Sequence, residues 1–257
     1  MIQPWHLPLL FGTGFVAGFV DSIAGGGGLI TVPVLLNFGL NPQVALGTNK
    51  LQASFGSGSA TWHYAKARLV PLRDCGRGFA LTLTGAAAGA LAVQHVDPSF
   101  LRRLIPWLLL AVAAYTVLKP RLGERDLHPR MPRGWFDLVF GLGIGFYDGF
   151  FGPGTGTFWT MAFMLGLGFN LARATGYTKV MNFASNLSSL ALFLVGGKVL
   201  FTAGLTMGVG QLLGAWLGSR MVITRGTRFI RPIFIAMVLA LTAKLIYDNY
   251  ARAASGR

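Results

Sequence analysis

Two apolar stretches of the chain, 7–40 and 135–169, are each too long for one ordinary membrane helix and too short for two, because a span takes about 20 residues. Glycines break both near the middle, as Ala24-Gly-Gly-Gly-Gly28 in the first and Phe151-Gly-Pro-Gly-Thr-Gly156 in the second. Irregular backbone at membrane depth survives only where protein or a water-filled cavity covers it. The pattern therefore predicts two discontinuous or re-entrant helix pairs that face protein or solute rather than lipid.

Further apolar runs lie near 44–65, 78–96, 104–118, 176–197, 201–219 and 229–247. Hydrophobic residues make up 53% of the chain and charged ones 12%, about half the charge of a soluble domain. A soluble enzyme is excluded on this ground. The 36 glycines fit a helical bundle in which small residues let helices approach. The net charge of +14 sits in short stretches between the apolar runs, so the basic balance points to membrane topology and not to nucleic acid. A single cysteine, Cys75, excludes an internal disulfide, and with four scattered histidines no metal site is expected. No cofactor is expected either, since Gly25–Gly28 is not followed by the Gly-Lys-Ser/Thr of a phosphate loop. Met1 to Asn49 holds no Lys or Arg, so the first run reads as a retained helix, not a cleavable signal.

The two broken runs belong to an internal repeat. A shift of 127 carries Gly14, Gly18, Phe19, Asp21, Gly25 and Gly27 onto Gly141, Gly145, Phe146, Asp148, Gly152 and Gly154. A shift of 129 carries Gly39, Asn41, Ala45, Gly47 and Lys50 onto Gly168, Asn170, Ala174, Gly176 and Lys179, then Gly85, Gly89, Phe100 and Arg102 onto Gly214, Gly218, Phe229 and Arg231. The expected organisation is a first transmembrane repeat at 1–120, a basic linker at 121–133 and a second repeat at 134–257. Loops 66–77, 119–133 and 220–231 hold most of the Lys and Arg, and the bias swaps sides between the halves. Inverted halves put all three loops on the cytoplasmic side of an inner membrane. The fold class expected is thus an all-α polytopic membrane protein of two inverted repeats, with 8–10 transmembrane or half-membrane helices.

The first half reads Gly18-Phe-Val-Asp21-Ser-Ile-Ala-Gly25-Gly-Gly-Gly28-Leu-Ile-Thr-Val-Pro33, then Asn41-Pro-Gln-Val-Ala45-Leu-Gly-Thr48-Asn49-Lys50-Leu-Gln52. In the second half Asp148, Gly152-Pro-Gly-Thr155-Gly156, Ala174 and Thr178-Lys179 stand at the matching places, with Thr160 set against Pro33. This pattern resembles the sulfite exporter TauE/SafE family, also called the 4-toluene sulfonate uptake permease family, over essentially the whole chain. The resemblance implies a membrane transporter for sulfur-containing anions such as sulfite or organosulfonates.

Elementary electrostatics favours an anion too. Glycine tracts leave backbone N–H groups unshielded at the start of a following half-helix, where about half a positive charge resides. The binding set expected is Gly25, Gly26, Gly27, Gly28, Thr48, Asn49, Lys50 and Gln52, with Gly152, Gly154, Thr155, Gly156, Thr178, Lys179 and Asn182. Asp21 and Asp148 are candidates for ion coupling, because a carboxylate at low dielectric gains a proton readily. Two plainer roles stand beside these: glycines as packing surfaces, and Asp21–Lys50 and Asp148–Lys179 as structural ion pairs within each half. Partners expected are a small anion and the bilayer, with homo-oligomerisation open. A carrier of a cation or neutral metabolite through Asp21 and Asp148, or a non-transporting scaffold, are the competing classes.

Overall fold

The computed structural model describes residues 3–101, 103–105, 107–108, 111 and 126–225. The expected linker is therefore seen only from residue 126, and Phe229, Arg231 and the end of loop 220–231 lie outside the described residues, as does Arg102.

Glycines and asparagines decide where the helices stop and start. Helix α1 (Leu7–Ala24) ends at Gly25, whose φ of 81° is left-handed and whose N–H returns to the Asp21 carbonyl. That conformation costs an ordinary residue about 1–2 kcal/mol. Helix α2 (Gly27–Asn37) begins just beyond it. Helix α3 (Pro42–Lys66) is opened by Asn41, whose side-chain oxygen accepts the Gln43 N–H. Helix α4 (Gly76–Gln94) follows a 3-10 turn at Leu72–Cys75. The same order returns as α5 (Arg133–Phe150), α6 (Thr155–Leu167) and α7 (Leu171–Val195), with Asn170 capping α7 by accepting the Arg173 N–H. Helix α8 covers 201–225, and 98–101 are also helical. Among the described residues the fold is all-helical, with no strand.

Both glycine breaks are real. The 11 residues of α2 and 13 of α6 reach about 16–20 Å at 1.5 Å per residue, roughly half to two-thirds of a hydrocarbon core. The 25-residue helices α3 and α7 reach about 37 Å. Two described helical stretches, Pro4–Ala24 and Leu72–Gln94, are long and apolar enough to cross a membrane, with mean hydropathies of 1.6 and 1.2. Helices α3 and α7 have the length but bury polar side chains, among them Asn49, Lys50, Gln52, Lys179, Asn182 and Ser185.

Neighbours in space are not neighbours in sequence. Helix α1 packs in parallel on α8: an added Cβ at Gly18 would strike the Gln211 backbone, and one at Gly218 the Phe19 carbonyl. Helix α5 packs in parallel on α4 by the corresponding contacts, Gly145 on Thr82 and Gly89 on Phe146. Helices α3 and α7 run antiparallel, with Gly47 against Phe193, Ser57 against Asn186 and Tyr64 against Gly176. Each contact in one group recurs in the other at offsets of 127 or 129.

The basic stretches gather at one end. Arg133 donates to the Asp74 carbonyl at 3.2 Å, Gly134 faces Arg77, and Val70, Cys75, Phe136 and Val222 share one apolar cluster. Loops near 38–41, 95–97 and 196–200 lie at the other end, where Gln43 donates to the carbonyls of Val93, Gln94 and Val96, and His6 packs on Phe38. The exterior is apolar, with Trp5, Trp62, Trp135 and Val195 exposed, whereas Lys50, Lys179 and Asp148 are buried.

Candidate functional site

The two helix breaks meet. Gly25 and Gly156 approach so closely that a Cβ on either would collide with the backbone of the other. Only two residues without side chains let α1 and α6 cross here. Around this crossing lies a cavity of about 30 Å³, lined by Asp21, Gly25, Gly28, Asn49, Ala53, Asp148, Gly152, Gly154, Thr155, Gly156, Asn182, Asn186 and Gln211. It has room for about two waters, or for a compact ion of a few heavy atoms.

Two ion pairs flank the cavity, and they are exchanged between the halves. Lys50 of α3 lies 2.6 Å from Asp148 Oδ1 of α5, and Lys179 of α7 lies 2.9 Å from Asp21 Oδ2 of α1. The pairings Asp21–Lys50 and Asp148–Lys179 are thereby corrected. The physical reason is the packing order, in which each broken helix lies against the other half. Both lysines are essentially inaccessible, at 1% and 0%, and an unpaired ammonium there would be costly by several kcal/mol.

The pairs differ in how firmly they are held. Lys50 also donates to the Asp148 carbonyl at 2.5 Å, and Ser185 donates to Asp148 Oδ2. Asp21 receives Lys179 on one oxygen and the Gly27 N–H at 3.3 Å on the other. Its side chain is 16% exposed, against 5% for Asp148. Asp21 is the looser carboxylate and the one more open to the cavity.

Of the expected binding residues, Gly25, Gly28, Asn49, Gly152, Gly154, Thr155, Gly156 and Asn182 line the cavity together with both aspartates. Gly26 and Gly27 start α2 behind it. Lys50 and Lys179 reach it through their carboxylates. Gln52 donates to Asn49 Oδ1 at 2.7 Å and to Thr31 Oγ1 at 3.2 Å, while Thr31 donates to the same Asn49 oxygen at 2.6 Å. This small network orients Asn49. Thr178 instead bonds Thr160 at 3.1 Å, the contact that matches Thr31–Asn49 at an offset of 129. Thr160 thus occupies the place of Thr31 and not that of Pro33, because the two extra residues sit inside the glycine break. Thr48 faces away and accepts the Leu200 N–H at 2.9 Å.

Gln211 and Asn186 line the cavity as well. Gln211 was absent from the expected set, although it is an amide set among Gly208, Gly210 and Gly214 in an apolar run, and that isolation is a usable signal. Among the described residues no group of three or more His, Cys, Asp or Glu side chains converges as a metal site would require.

Comparison with known proteins gives a consistent answer. The model of the family described as sulfite exporter TauE/SafE matches residues 10–245. The chain is 46% identical over 252 residues to the probable membrane transporter protein YfcA of Escherichia coli (strain K12), covering 98% of this chain and 94% of that one. It is 47% identical over 243 residues to a probable membrane transporter protein of Haemophilus influenzae, covering 95% of each. Its identity to the probable membrane transporter protein YunE of Bacillus subtilis is 23% over 261 residues. No solved structure matches. With a family model spanning most of its length and full-length relatives well above 40% identity, the chain belongs to the sulfite exporter TauE/SafE family of membrane transporters.

Proposed function

We propose that this protein is a secondary transporter of the inner membrane that carries a small sulfur-containing oxyanion, of the sulfite or short organosulfonate class, by alternating access. The observation that carries the reading is the cavity where two broken helices cross, bounded by the first turn of α6 at Gly154–Gly156. A helix N-terminus favours negative charge, and the matching contacts of the helices around the site support the repeat-interface site found in many alternating-access carriers.

The antiparallel run of α3 and α7, whose ends and caps correspond at an offset of 129, supports an inverted duplication. Gathering of Lys66–Arg77, Arg130–Arg133 and Arg220–Arg225 at one end supports a cytoplasmic assignment for that end. Exposed Trp62 and Trp135 lie near that end, where an aromatic belt belongs. Both aspartates are neutralised by lysines, which disfavours a cation carrier that needs them as ligands. Lys179 is held by the looser of the two carboxylates and is the cation that the solute meets, with Asp21 the candidate for ion coupling. No step in this cycle makes or breaks a covalent bond of the solute.

The test is flux into proteoliposomes of purified protein with sulfite and methanesulfonate, with and without a pH gradient. Saturable uptake, stimulated by the gradient and reduced by competing oxyanions, is the expected result. No flux of either anion from folded protein overturns the substrate class and directs the search to cations and neutral solutes.

A further inference from the structure

The cavity is not chemically even around its circumference. At the positions that correspond by an offset of 129, the first half places Ala53, Ser57 and Thr82, and the second half places Asn182, Asn186 and Gln211. Ser57 and Asn186 bond each other at 3.2 Å. Thr82 is satisfied within its own surroundings, donating to the Gly78 carbonyl at 2.7 Å. Asn182 and Gln211 are different. Gln211 is 1% exposed and Asn182 6%, both line the cavity, and Gln211 Oε1 and Asn182 Oδ1 have no hydrogen-bond partner. A buried polar atom left unpaired costs about 1–3 kcal/mol, so two at one cavity mark a place where water, or the solute that displaces it, completes the bonding.

We infer that Gln211, together with Asn182, is a direct and specificity-determining ligand of the carried solute, and that the solute is a small oxyanion that keeps one proton. This rests on the anion-carrier reading above and narrows it. A carboxamide presents an N–H₂ donor and a carbonyl acceptor side by side. The unpaired ends are the carbonyls, Gln211 Oε1 and Asn182 Oδ1. A fully ionised oxyanion offers acceptors alone and leaves the two carbonyls unmatched. A monoprotonated one, with the chemistry of hydrogensulfite, donates its O–H to an amide carbonyl and accepts N–H groups on its other oxygens.

Room for this arrangement is made by Gly56, where an added Cβ would lie 2.5 Å from Gln211 Cγ, and by Gly18, which lets α8 approach α1. The neighbouring charged pair is Asp21–Lys179. The amides that line the cavity are therefore weighted to one side: Asn182 and Asn186 come from α7 and Gln211 from α8, against Asn49 alone from α3, and Thr82 at the position corresponding to Gln211 is not among the lining residues.

Anion binding to detergent-purified full-length protein, measured by calorimetric titration at one fixed, mildly acidic pH, tests this. Hydrogensulfite and methanesulfonate are the probes, the second having the oxyanion without the retained proton. The expected result is a loss of about tenfold in hydrogensulfite affinity for Gln211→Leu, a smaller loss for methanesulfonate, and no change for Thr82→Val. Circular dichroism melting on the same samples identifies a variant that is merely misfolded, in which case Gln211→Met, which keeps the length of the side chain without its amide, is titrated instead. Unchanged affinity in folded Gln211 variants overturns the inference while the anion reading stands. Equal losses for both probes overturn the retained proton. No binding of either anion by the unaltered protein overturns the anion reading and this inference together.

Discussion

Lys50 places its ammonium 2.6 Å from the Asp148 carboxylate, across the boundary between the two halves of the chain. Lys179 makes the reciprocal contact with Asp21 at 2.9 Å. These exchanged pairs tie α3 to α5 and α7 to α1, so any movement of one half against the other must stretch or break them. They neutralise buried charge and join helices of the two halves.

The exchange predicts which substitutions compensate. Removing one member of a buried pair costs about 3–5 kcal/mol, because its partner is left charged and alone. Lys50→Ala should therefore lower the melting temperature strongly, and adding Asp148→Ala should restore part of the loss. Adding Asp21→Ala to Lys50→Ala should instead compound it. A double-mutant cycle on melting in detergent measures both couplings, and coupling confined to Lys50–Asp21 would contradict the geometry.

The unequal hold on the two aspartates separates their roles. Asp148 is fixed by Lys50 and Ser185 and is 5% exposed, whereas Asp21 is 16% exposed and more weakly bonded. Asp21 also faces Lys179 from α7 and lies near Tyr64 from α3, and among the described residues no second carboxylate is bonded to it. Asp21→Asn leaves Lys179 unpaired and should lower the melting temperature, but less than Asp148→Asn, and the folded protein should keep anion exchange at equal pH on both sides and lose accumulation driven by a proton gradient. Asp148→Asn should lose both, through reduced stability. Gradient-driven accumulation that persists in Asp21→Asn would remove that residue from coupling.

Much of this was legible in the residues because it depends on local chemistry. Glycine tracts gave the breaks, whereas Asn41 and Asn170 stood out only as a matched pair of the repeat and are seen as the caps of α3 and α7 in the structure. The partners of the lysines were not legible, since spacing along a chain does not say which helices of the two halves lie together. Nothing local distinguishes α1 on α8 from α1 on α4. The role of Gln211 was hidden for a related reason: one amide in an apolar, glycine-rich run has meaning only once the run is known to pass the cavity. Thr160 was set against Pro33 because the extra residues in Gly152-Pro-Gly-Thr-Gly156 fall inside the break, where the sequence has too few landmarks to locate them.

The crossing of the breaks predicts a narrow tolerance at two glycines. Gly25 combines a φ of 81° with backbone contact to Gly156. Gly25→Ala meets both the left-handed strain, about 1–2 kcal/mol, and overpacking of about 1–3 kcal/mol. Gly156→Ala meets only the second. Gly39 also has a left-handed φ, of 78°, but open space around it, so Gly39→Ala carries strain alone. The expected order of melting temperatures is wild type highest and Gly25→Ala lowest, with the other two between them. A Gly25→Ala protein as stable as Gly39→Ala would mean that α1 and α6 do not cross here.

Orientation in the membrane can be read chemically because Cys75 is the one cysteine in the sequence and is 2% exposed. Replacing it with serine gives a background without thiols, at little cost to a side chain whose sulfur makes one long contact of 3.8 Å to the Pro71 carbonyl. Into that background, Arg68→Cys or Arg130→Cys marks the basic end, and Lys198→Cys marks the opposite end. If the basic end is cytoplasmic, a membrane-impermeant maleimide added to intact cells labels the cysteine at 198 and leaves those at 68 and 130 unlabelled until the membrane is opened. The reverse pattern would invert the assignment. Labelling of all three from outside would mean the inserted protein does not separate these two ends across the bilayer.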